Sequence, residues 1–84
     1  MNFDKLYPSI DLHGEDFVSA GLKTKEFISD SVFLKRRTII IIHGKGYGIV
    51  KNGVYNELKK NKNVESYHLN MNLGSTTVIL KENK

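Results

Sequence analysis

Two short segments of the sequence combine histidine with glycine in a way that favours proton transfer beside a phosphate. The first is Asp11-Leu12-His13-Gly14, and the second, which begins thirty residues after His13, is His43–Gly48 with three glycines at alternate positions. Histidine has an ordinary pKa of about 6.5, so its ring takes up or releases a proton near neutral pH. The backbone N–H groups of a glycine-rich loop bind phosphate readily, and Lys45 adds a positive charge. Together these residues favour cleavage of a phosphodiester bond.

The side chains of both segments have a possible chemical role and a possible structural role. In RNA cleavage, one histidine would deprotonate the 2′-hydroxyl and the other would protonate the leaving oxygen. Asp11 would orient His13, activate water or bind a divalent cation. In the structural alternative, each histidine holds its own turn by hydrogen bonding to the backbone, and Tyr47 packs the loop instead of stacking on a base. We predict Asp11, His13 and His43 as catalytic residues, and His68 as an ordinary surface residue.

Several common mechanisms are excluded by the details of these segments. The glycine loop lacks the G-x-G-x-x-G spacing of a dinucleotide-binding turn. It is not a Walker loop either, because Ile39 stands where the first glycine belongs and Gly46 where serine or threonine is required. The chain contains no cysteine, so neither a disulfide nor a thiolate metal site is available. One aspartate with scattered histidines makes a poor metal cage, and the cofactor expectation is therefore none, with Mg²⁺ or Mn²⁺ left open.

The pattern of apolar residues predicts strands and helices that alternate along one domain. Four consecutive isoleucines before His43 indicate a buried strand, and Asp16 is a typical helix N-cap. The resulting order is βαβαββ, a mixed four-stranded sheet of the α/β (α+β) class with two helices on one face. The predicted elements are strands over Ser9–His13, Thr38–Ile42, Val64–Met71 and Thr76–Leu80, and helices from Asp16 to Leu34 and from Ile49 to Lys60.

This order of elements predicts where the two histidine segments lie. Strands that are joined by a helical crossover run parallel, and their carboxyl ends emerge at the same edge of the sheet. We therefore expect His13 and the loop His43–Gly48 to be neighbours in space. The last two strands, which are joined by a short turn, should be antiparallel.

The N-terminal segment has a predicted structural role of its own. The isoleucine strand is apolar on both faces, but the helices cover only one of them. We predict that residues 1–8 form a leader that precedes the domain over residues 9–84. One or more of Phe3, Leu6 and Tyr7 should cover part of the outer isoleucine face.

Charge is distributed unevenly along the chain, whose formal net charge is +4. Residues 1–34 carry three lysines against six acidic residues, and residues 35–62 carry eight basic residues against Glu57 alone. A basic segment around the glycine loop favours a polyanionic partner, although a solvated basic surface is the alternative. The chain has no run of about 20 apolar residues and no signal-peptide core, which predicts a cytoplasmic protein without a membrane partner. The predicted nucleic-acid-binding residues are Arg36, Arg37, Gly44, Lys45, Gly46, Tyr47, Gly48 and Lys51.

Three boxes of the sequence together resemble the small MutS-related (Smr) domain family. These are Ile10–Gly14 with its D-L-H-G box, Ile41–Gly48 with its H-G-x-G box, and Gly74–Leu80 with a closing G-x-T-x-V-like strand. The resemblance extends from Ser9 to Lys81. It implies a two-layer sandwich similar to the C-terminal domain of translation initiation factor three, and it assigns function to Asp11, His13, His43, Gly44 and Gly46. Tyr47 departs from the family pattern, in which a small residue such as threonine is common.

The resemblance also implies a class of activity. Several members of the family nick DNA or cleave RNA as endonucleases, and some act on messenger RNA at stalled or collided ribosomes. Family members occur alone or at the C-terminus of MutS-like ATPases, and these residues fit both arrangements. The alternatives to a nuclease are a non-catalytic module that binds nucleic acid or the ribosome through Lys35, Arg36, Arg37, Lys45 and Lys51, and a protein-interaction domain that uses the outer isoleucine face.

Overall fold

A computed structural model describes residues 6–82 and contains two helices and four strands in the order βαβαββ. This confirms the predicted order and the predicted mixed sheet. The first strand ends two residues earlier than predicted, because the chain turns away after Leu12, whose carbonyl accepts a hydrogen bond from the Glu15 N–H at 3.1 Å. The elements are β1 (Ser9–Asp11), α1 (Phe17–Phe33), β2 (Thr38–Ile42), α2 (Ile49–Lys60), β3 (Val64–Leu69) and β4 (Ser75–Leu80).

The strands form one sheet in the spatial order β1-β2-β4-β3. β1 pairs with β2 in parallel, and β4 is antiparallel to both of its neighbours. Both predictions of strand direction are therefore confirmed, while the insertion of β4 between β2 and β3 is a new feature. Because Ile10 is in register with Ile41, β1 and β2 end at the same edge of the sheet.

The hydrophobic core lies between the sheet and the two helices. Ile39 and Ile41 point into it from β2, and both are completely buried. The predicted third strand extended to Met71, which is 98% exposed, and Phe17 at the start of α1 is 43% exposed. Met71 lies outside because β3 ends at Leu69 and the chain turns there. The other buried core residues are Leu12, Ala20, Ile28, Val54, Leu58, Val78 and Leu80.

Helix α1 has a hydrogen-bonded motif at each end. At its start, the Asp16 side chain accepts a hydrogen bond from the Ser19 N–H at 2.7 Å, and the Asp16 N–H donates to the Ser19 hydroxyl at 3.2 Å. This reciprocal capping box confirms the predicted N-cap. At the other end, the N–H groups of Lys35 and Arg36 donate back into the last turn at 3.0 and 2.9 Å, and Lys35 adopts a positive φ of 61°. This is a Schellman motif, in which glycine is the usual residue at the left-handed position.

Two glycines allow the helices to pack closely. A Cβ atom on Gly53 would lie 2.4 Å from the carbonyl oxygen of Phe17, far inside van der Waals contact. On the other helix, a Cβ atom on Gly21 would lie 3.4 Å from the carbonyl oxygen of Gly53. Glycine in a helix interior costs about 1 kcal/mol relative to alanine. Gly53 is therefore retained in α2 because no side chain fits where α1 crosses it.

The helix-free face of the sheet carries apolar residues, as the isoleucine run predicted. Ile40, which lies on this face, is completely buried, whereas Leu6 and Tyr7 are 55% and 41% exposed. Phe3 falls within residues 1–5, which lie outside the described residues, so the proposed cover by the leader stays a prediction. Within residues 6–82, neither helix is long and apolar enough to cross a membrane.

The helix crossing gives a direct test of the packing. We expect Gly53→Ala to destabilise the fold by about 1–3 kcal/mol, because the added methyl group meets backbone that cannot move aside without separating the helices. Gly21→Ala is the matched control, since its methyl group has ordinary contacts and the substitution should be neutral or stabilise by up to about 1 kcal/mol. Urea unfolding of the three proteins measures both effects. A Gly53→Ala protein as stable as wild type would contradict the close crossing.

Candidate active site

A cleft of about 660 Å³ lies where the turns after β1 and β2 meet. It is lined by residues 13–16 and Ser19 on one side and by residues 43–51 on the other. The two turns are in contact, because a Cβ atom on Gly44 would lie 3.5 Å from the Cβ of His13. The predicted juxtaposition of the two histidine segments is therefore confirmed.

Asp11 and His13 form a hydrogen-bonded pair at the mouth of this cleft. His13 Nδ1 lies 2.6 Å from Asp11 Oδ1, and the same oxygen accepts the His13 backbone N–H at 3.1 Å. An ionised carboxylate only accepts hydrogen bonds, so the proton of a neutral His13 ring lies on Nδ1 and the lone pair on Nε2. The side chains of His13 and Asp11 are 72% and 51% exposed, which makes the pair accessible to a ligand.

The pairing shifts both pKa values in the direction that favours the charged forms, an imidazolium on His13 and a carboxylate on Asp11. The hydrogen bond to Asp11, reinforced by its negative charge, raises the pKa of His13 above its ordinary value. The hydrogen bonds from the His13 ring and backbone lower the pKa of Asp11. His13 is thus positioned to exchange a proton near neutral pH, with Nε2 as the exchanging atom.

His43 has a different environment, although it belongs to the same cleft. Its ring is buried and has a partner on each nitrogen: Nδ1 lies 3.0 Å from the Gly44 carbonyl oxygen, and Nε2 lies 2.9 Å from the Thr76 hydroxyl. The Tyr55 hydroxyl lies 2.9 Å from the same Thr76 oxygen. Burial is the main cause that lowers the pKa of His43, and it favours the neutral ring.

The hydrogen-bond directions around a neutral His43 follow from this arrangement. A carbonyl only accepts, so Nδ1–H donates to Gly44 and Nε2 must accept from Thr76. Thr76 has then used its only proton, and Tyr55 must donate to it. Both ring nitrogens of His43 are occupied in this chain of donors. Of the two roles that the sequence left open, its geometry therefore fits holding the loop, with His13 as the histidine that has a free nitrogen.

The backbone reinforces the attachment of the glycine loop to the sheet. The carbonyl oxygen of Gly74 accepts hydrogen bonds from the N–H groups of both His43 and Gly44 at 2.9 Å. Gly44 has a φ of 82°, a left-handed conformation that glycine adopts without strain. The loop therefore begins from a fixed position beside His13.

The rest of the loop offers donors and an exposed ring. Gly48 is the N-cap of α2 and provides no side-chain cap, so the first N–H groups of that helix have no side-chain acceptor. Lys45 is exposed, and the Lys51 ammonium lies 5.7 Å from the centre of the Tyr55 ring. Tyr47 is fully exposed, which excludes packing of its ring inside the turn. These features suit an anionic ligand with a flat group.

The acidic residues of the cleft have local partners. Glu15 accepts hydrogen bonds from the Ser19 hydroxyl at 2.8 Å and from Lys23 Nζ at 2.7 Å. Both contacts lower the pKa of Glu15, and the hydrogen bond from Lys23 has the larger effect. Asp16 is occupied in capping α1.

Across residues 6–82 no group of three or more histidine, aspartate or glutamate side chains is arranged to hold a metal ion. The donor set does not form a cage for Mg²⁺ or Mn²⁺, and we derive no step through a metal.

Arg36 and Arg37 are not brought to the cleft. They precede β2, whereas the glycine loop follows it, and five residues of strand separate the two by about 16 Å. Arg37 donates through Nε to the Leu80 carbonyl at 2.8 Å, and it lies 3.6 Å from both Glu65 and Glu82. The basic segment therefore surrounds the loop in sequence but not in space. A role of the two arginines in binding nucleic acid stays a prediction.

Sequence reasoning did not place the turn between β3 and β4 beside the glycine loop. A Cβ atom on Gly74 would lie 3.4 Å from Lys45 Cγ, so this turn is in contact with the glycine loop. Its residues Met71 and Leu73 are 98% and 58% exposed, and Leu73 has a positive φ of 63°. A bulky residue in that conformation is unusual. The closely spaced asparagines Asn70 and Asn72 were the signal for a tightly hydrogen-bonded turn here.

Comparisons with known proteins agree with the geometry. The family model of the Smr domain matches residues 10–81. Endonuclease MutS2 of Clostridium acetobutylicum is 36% identical over 85 aligned residues that cover 100% of this chain and 11% of the relative. Endonuclease MutS2 of Ligilactobacillus salivarius is 36% identical over 78 residues, which cover 88% of this chain and 10% of the relative. The chain thus spans about a tenth of the length of these relatives.

Two solved structures share the fold. The Smr domain of Thermus thermophilus MutS2 superposes with a TM-score of 0.83 at 27% identity, covering 88% of this chain and 98% of that one. YdaL from Escherichia coli, described as a stand-alone small MutS-related protein, gives a TM-score of 0.82 at 25% identity, covering 90% of this chain and 68% of that one. The second shows that a related fold occurs outside MutS2.

The hydrogen bonds from Tyr55 to Thr76 and from Thr76 to His43 can be tested by substitution. We expect Thr76→Val to cost about 1–3 kcal/mol of unfolding free energy, because the isosteric side chain leaves Nε2 of a buried histidine without a donor. Tyr55→Phe should cost less, about 0.5–1.5 kcal/mol, since Thr76 still donates to His43. Urea unfolding orders the two variants. A Tyr55→Phe loss larger than the Thr76→Val loss would contradict the assigned directions.

The two histidines should also titrate on opposite sides of the ordinary pKa of about 6.5. In an NMR titration of the ring protons, we expect His13 to titrate above this value and His43 below it. Asp11→Asn should move the pKa of His13 downward, because the negative partner is lost, and should leave His43 unchanged as the internal control. If His13 titrates identically in both proteins, the Asp11–His13 pair does not form in solution.

Proposed function

The chain belongs to the Smr domain family, and we propose that it binds nucleic acid in the cleft and cleaves a phosphodiester bond there. The observation that carries this proposal is the exposed Asp11–His13 pair, 2.6 Å between Oδ1 and Nδ1, which lies against the glycine loop in a shared cleft. A proton-transfer group beside a phosphate-binding loop is the minimum that such a cleavage needs. The relatives named endonuclease MutS2 support the same chemistry.

The binding step uses the glycine loop and the start of α2. A phosphate of the backbone would bind to the N–H groups at the N-terminus of α2, where the helix dipole favours a negative charge. Lys45 adds a cation on the exposed side of the loop. Tyr47 would stack on a base next to the bound phosphate, which its complete exposure permits. These contacts would place the scissile phosphate against His13.

The chemical step uses Nε2 of His13. This atom would take the proton from the attacking oxygen, which is the 2′-hydroxyl of RNA or a water molecule, while Asp11 stabilises the resulting imidazolium. As the bond from that oxygen to phosphorus forms, the bond from phosphorus to the leaving oxygen breaks, and the leaving oxygen takes a proton from solvent water. Lys45 and the loop N–H groups would stabilise the charge that develops on the phosphate oxygens. His43 takes no proton in this scheme and keeps the loop in position through Gly44 and Thr76.

The choice between RNA and DNA as the substrate follows from the source of the attacking oxygen. RNA carries its own attacking oxygen, so a site that provides one histidine base and a phosphate cradle is better suited to RNA than to DNA. We propose RNA as the preferred substrate, with messenger RNA at a stalled ribosome as one possible source and nicking of DNA as the competing activity. Since the chain spans about a tenth of the MutS2 relatives, the activity of those whole proteins is not carried over with the domain.

A non-catalytic nucleic-acid-binding module is the second candidate. One observation favours it: the residues that would bind phosphate and base, Lys45, Lys51 and Tyr47, are separate from the Asp11–His13 pair. Binding would then survive Asp11→Asn and would weaken steeply with salt, because phosphate contacts release counterions.

The nuclease proposal is tested with purified protein and labelled single-stranded RNA, branched DNA and nicked plasmid, with and without Mg²⁺. We expect His13→Ala to reduce the cleavage rate about 10²–10⁴-fold, because it removes the general base. His68→Ala is the matched control, since it removes an exposed histidine on β3 and should retain full activity. A His13→Ala protein that cleaves as fast as wild type would refute the assignment of His13.

The pH dependence gives a second readout of the same pair. The rate should rise with pH as His13 loses its proton, and Asp11→Asn should shift this rise to lower pH because the carboxylate no longer raises the pKa of His13. Two results together would favour the binding module over the nuclease. These are a wild-type protein that cleaves none of the substrates and salt-dependent binding that persists in Asp11→Asn.

A further inference from the structure

The edge of the sheet opposite the cleft collects most of the basic residues of the chain. The N-terminal ends of β2 and β3 and the C-terminal end of β4 meet there, as the pairings Thr38 with Ile79 and Val64 with Leu80 show. Backbone hydrogen bonds join the segments, from Leu80 N–H to Arg37 O and from Lys81 N–H to Asn63 O, both at 2.8 Å. We call this surface the distal basic edge; its basic residues are Lys35, Arg36, Arg37, Lys59, Lys60, Lys62 and Lys81.

The charge balance of the two edges differs. Six of the eight basic residues in segment 35–62 belong to the distal basic edge, and only Lys45 and Lys51 are near the cleft. The seven cations of the distal basic edge are accompanied by four acidic residues, a net of +3. The cleft, together with the residues bonded to its lining, has the three lysines Lys23, Lys45 and Lys51 against three acidic residues, a net of 0 with His13 neutral. The acidic residues are Asp30, Glu57, Glu65 and Glu82 at the distal basic edge and Asp11, Glu15 and Asp16 at the cleft.

Those four acidic residues leave most of the cations available. Glu65 and Glu82 approach only Arg37, at 3.6 Å and with more than half of each carboxylate side chain exposed, so these are weak ion pairs. Glu57 is buried and accepts a hydrogen bond from Asn61 at 2.9 Å. Asp30 lies in the last turn of α1. Long-range attraction of a polyanion is therefore stronger at the distal basic edge than at the cleft.

Two further features indicate a ligand with phosphates and flat rings. Phe33, the last residue of α1, is 84% exposed and is followed after one residue by the basic run Lys35–Arg37. Lys35 occupies the left-handed position of the Schellman motif, where glycine would be less strained, so a lysine there is not explained by folding. An exposed aromatic ring among cations is typical of surfaces that track a single strand.

We propose that the distal basic edge is a second nucleic-acid-binding surface, which holds the phosphodiester backbone away from the cleft. The identity of the polyanion as nucleic acid rests on the proposed function, but binding here does not require cleavage. The two edges are about 16 Å apart along β2. At about 3.4 Å per stacked nucleotide, a strand needs at least about five nucleotides to reach from one to the other. Long strands would bind to both surfaces and dinucleotides to the cleft alone.

The test measures binding in the His13→Ala background, which avoids cleavage of the probe. A fluorescein-labelled 20-nucleotide single strand is titrated by anisotropy at several salt concentrations. We expect Lys59→Gln/Lys60→Gln/Lys62→Gln to reduce the slope of log K against log salt by about 2, because each phosphate contact contributes about 0.7 for single strands. Near 0.1 M salt, affinity should fall about 10- to 100-fold. Lys59→Arg/Lys60→Arg/Lys62→Arg, which keeps the three positive charges at the same positions, is the control and should change little.

Several outcomes would overturn the proposal. One is a triple glutamine variant whose slope and affinity match those of the triple arginine control. Another is a protein that binds vesicles containing phosphatidylserine but not the oligonucleotide, which would assign the surface to an anionic membrane. If the wild-type protein never cleaves but the triple glutamine variant still loses affinity for the single strand, the nuclease proposal is refuted and the proposal of the distal binding surface stands.

The aromatic residue has its own test. Phe33→Ala should weaken binding of the 20-nucleotide single strand at least about fivefold and change binding of a 20-base-pair duplex less, since only unpaired bases present their faces for stacking. Because the ring is exposed, the fold should be retained, and circular dichroism checks this. Unchanged binding of the single strand would remove Phe33 from the proposed surface.

Discussion

The parallel pairing of β1 with β2 is the constraint on which the site depends. Helix α1 connects the two strands over the helical face of the sheet, so both must end at the same edge. That edge then receives the Asp11–His13 pair from one turn and the glycine loop from the other. The contact between Gly44 and His13 is a consequence of this register. A shift of one residue would move Asp11 to the opposite face and separate the pair from the loop.

The same edge gives two histidines opposite properties. His13 is exposed and pairs with a carboxylate, which raises its pKa. His43 is buried among hydroxyl and carbonyl groups, and burial lowers its pKa, which favours the neutral ring. A charged His43 would donate from Nε2 as well, so the Thr76 hydroxyl would have to accept this hydrogen bond instead of donating it. The division of labour is therefore set by burial, with one ring able to exchange protons and the other acting as a fixed part of the loop.

Much of the fold and of the site could be predicted from the sequence because the relevant signals are local. The isoleucine run, the Asp16 cap and the histidine–glycine turns each determine a short segment, and the crossover rule joins them. The insertion of β4 between β2 and β3 could not be predicted, since no local pattern specifies strand order. Arg37 lies far from the cleft because it precedes β2, whereas the glycine loop follows this strand. Its closeness to the loop in sequence suggested the opposite.

Other differences arise from tertiary contacts. Met71 was predicted to belong to the third strand because it continues an alternating pattern, but the chain turns first at Asn70, which is buried and hydrogen-bonded to Ser75 and Thr77. Gly53 looked unfavourable for a helix until the crossing with Phe17 was visible. The partners of His43 could not be assigned from sequence, because Tyr55 and Thr76 come from two elements that meet only in the folded protein.

The position of β1 has a consequence for how the protein responds to heat. This strand has three residues and lies at the rim of the sheet, where among residues 6–82 it pairs with β2 alone, yet it carries Asp11 and leads directly into His13. Strands with few hydrogen bonds open locally at a lower free energy than the core. Fraying of the rim would disperse the proton-exchanging pair while the isoleucine core stays folded. Loss of the proposed activity on warming should thus precede the main unfolding transition.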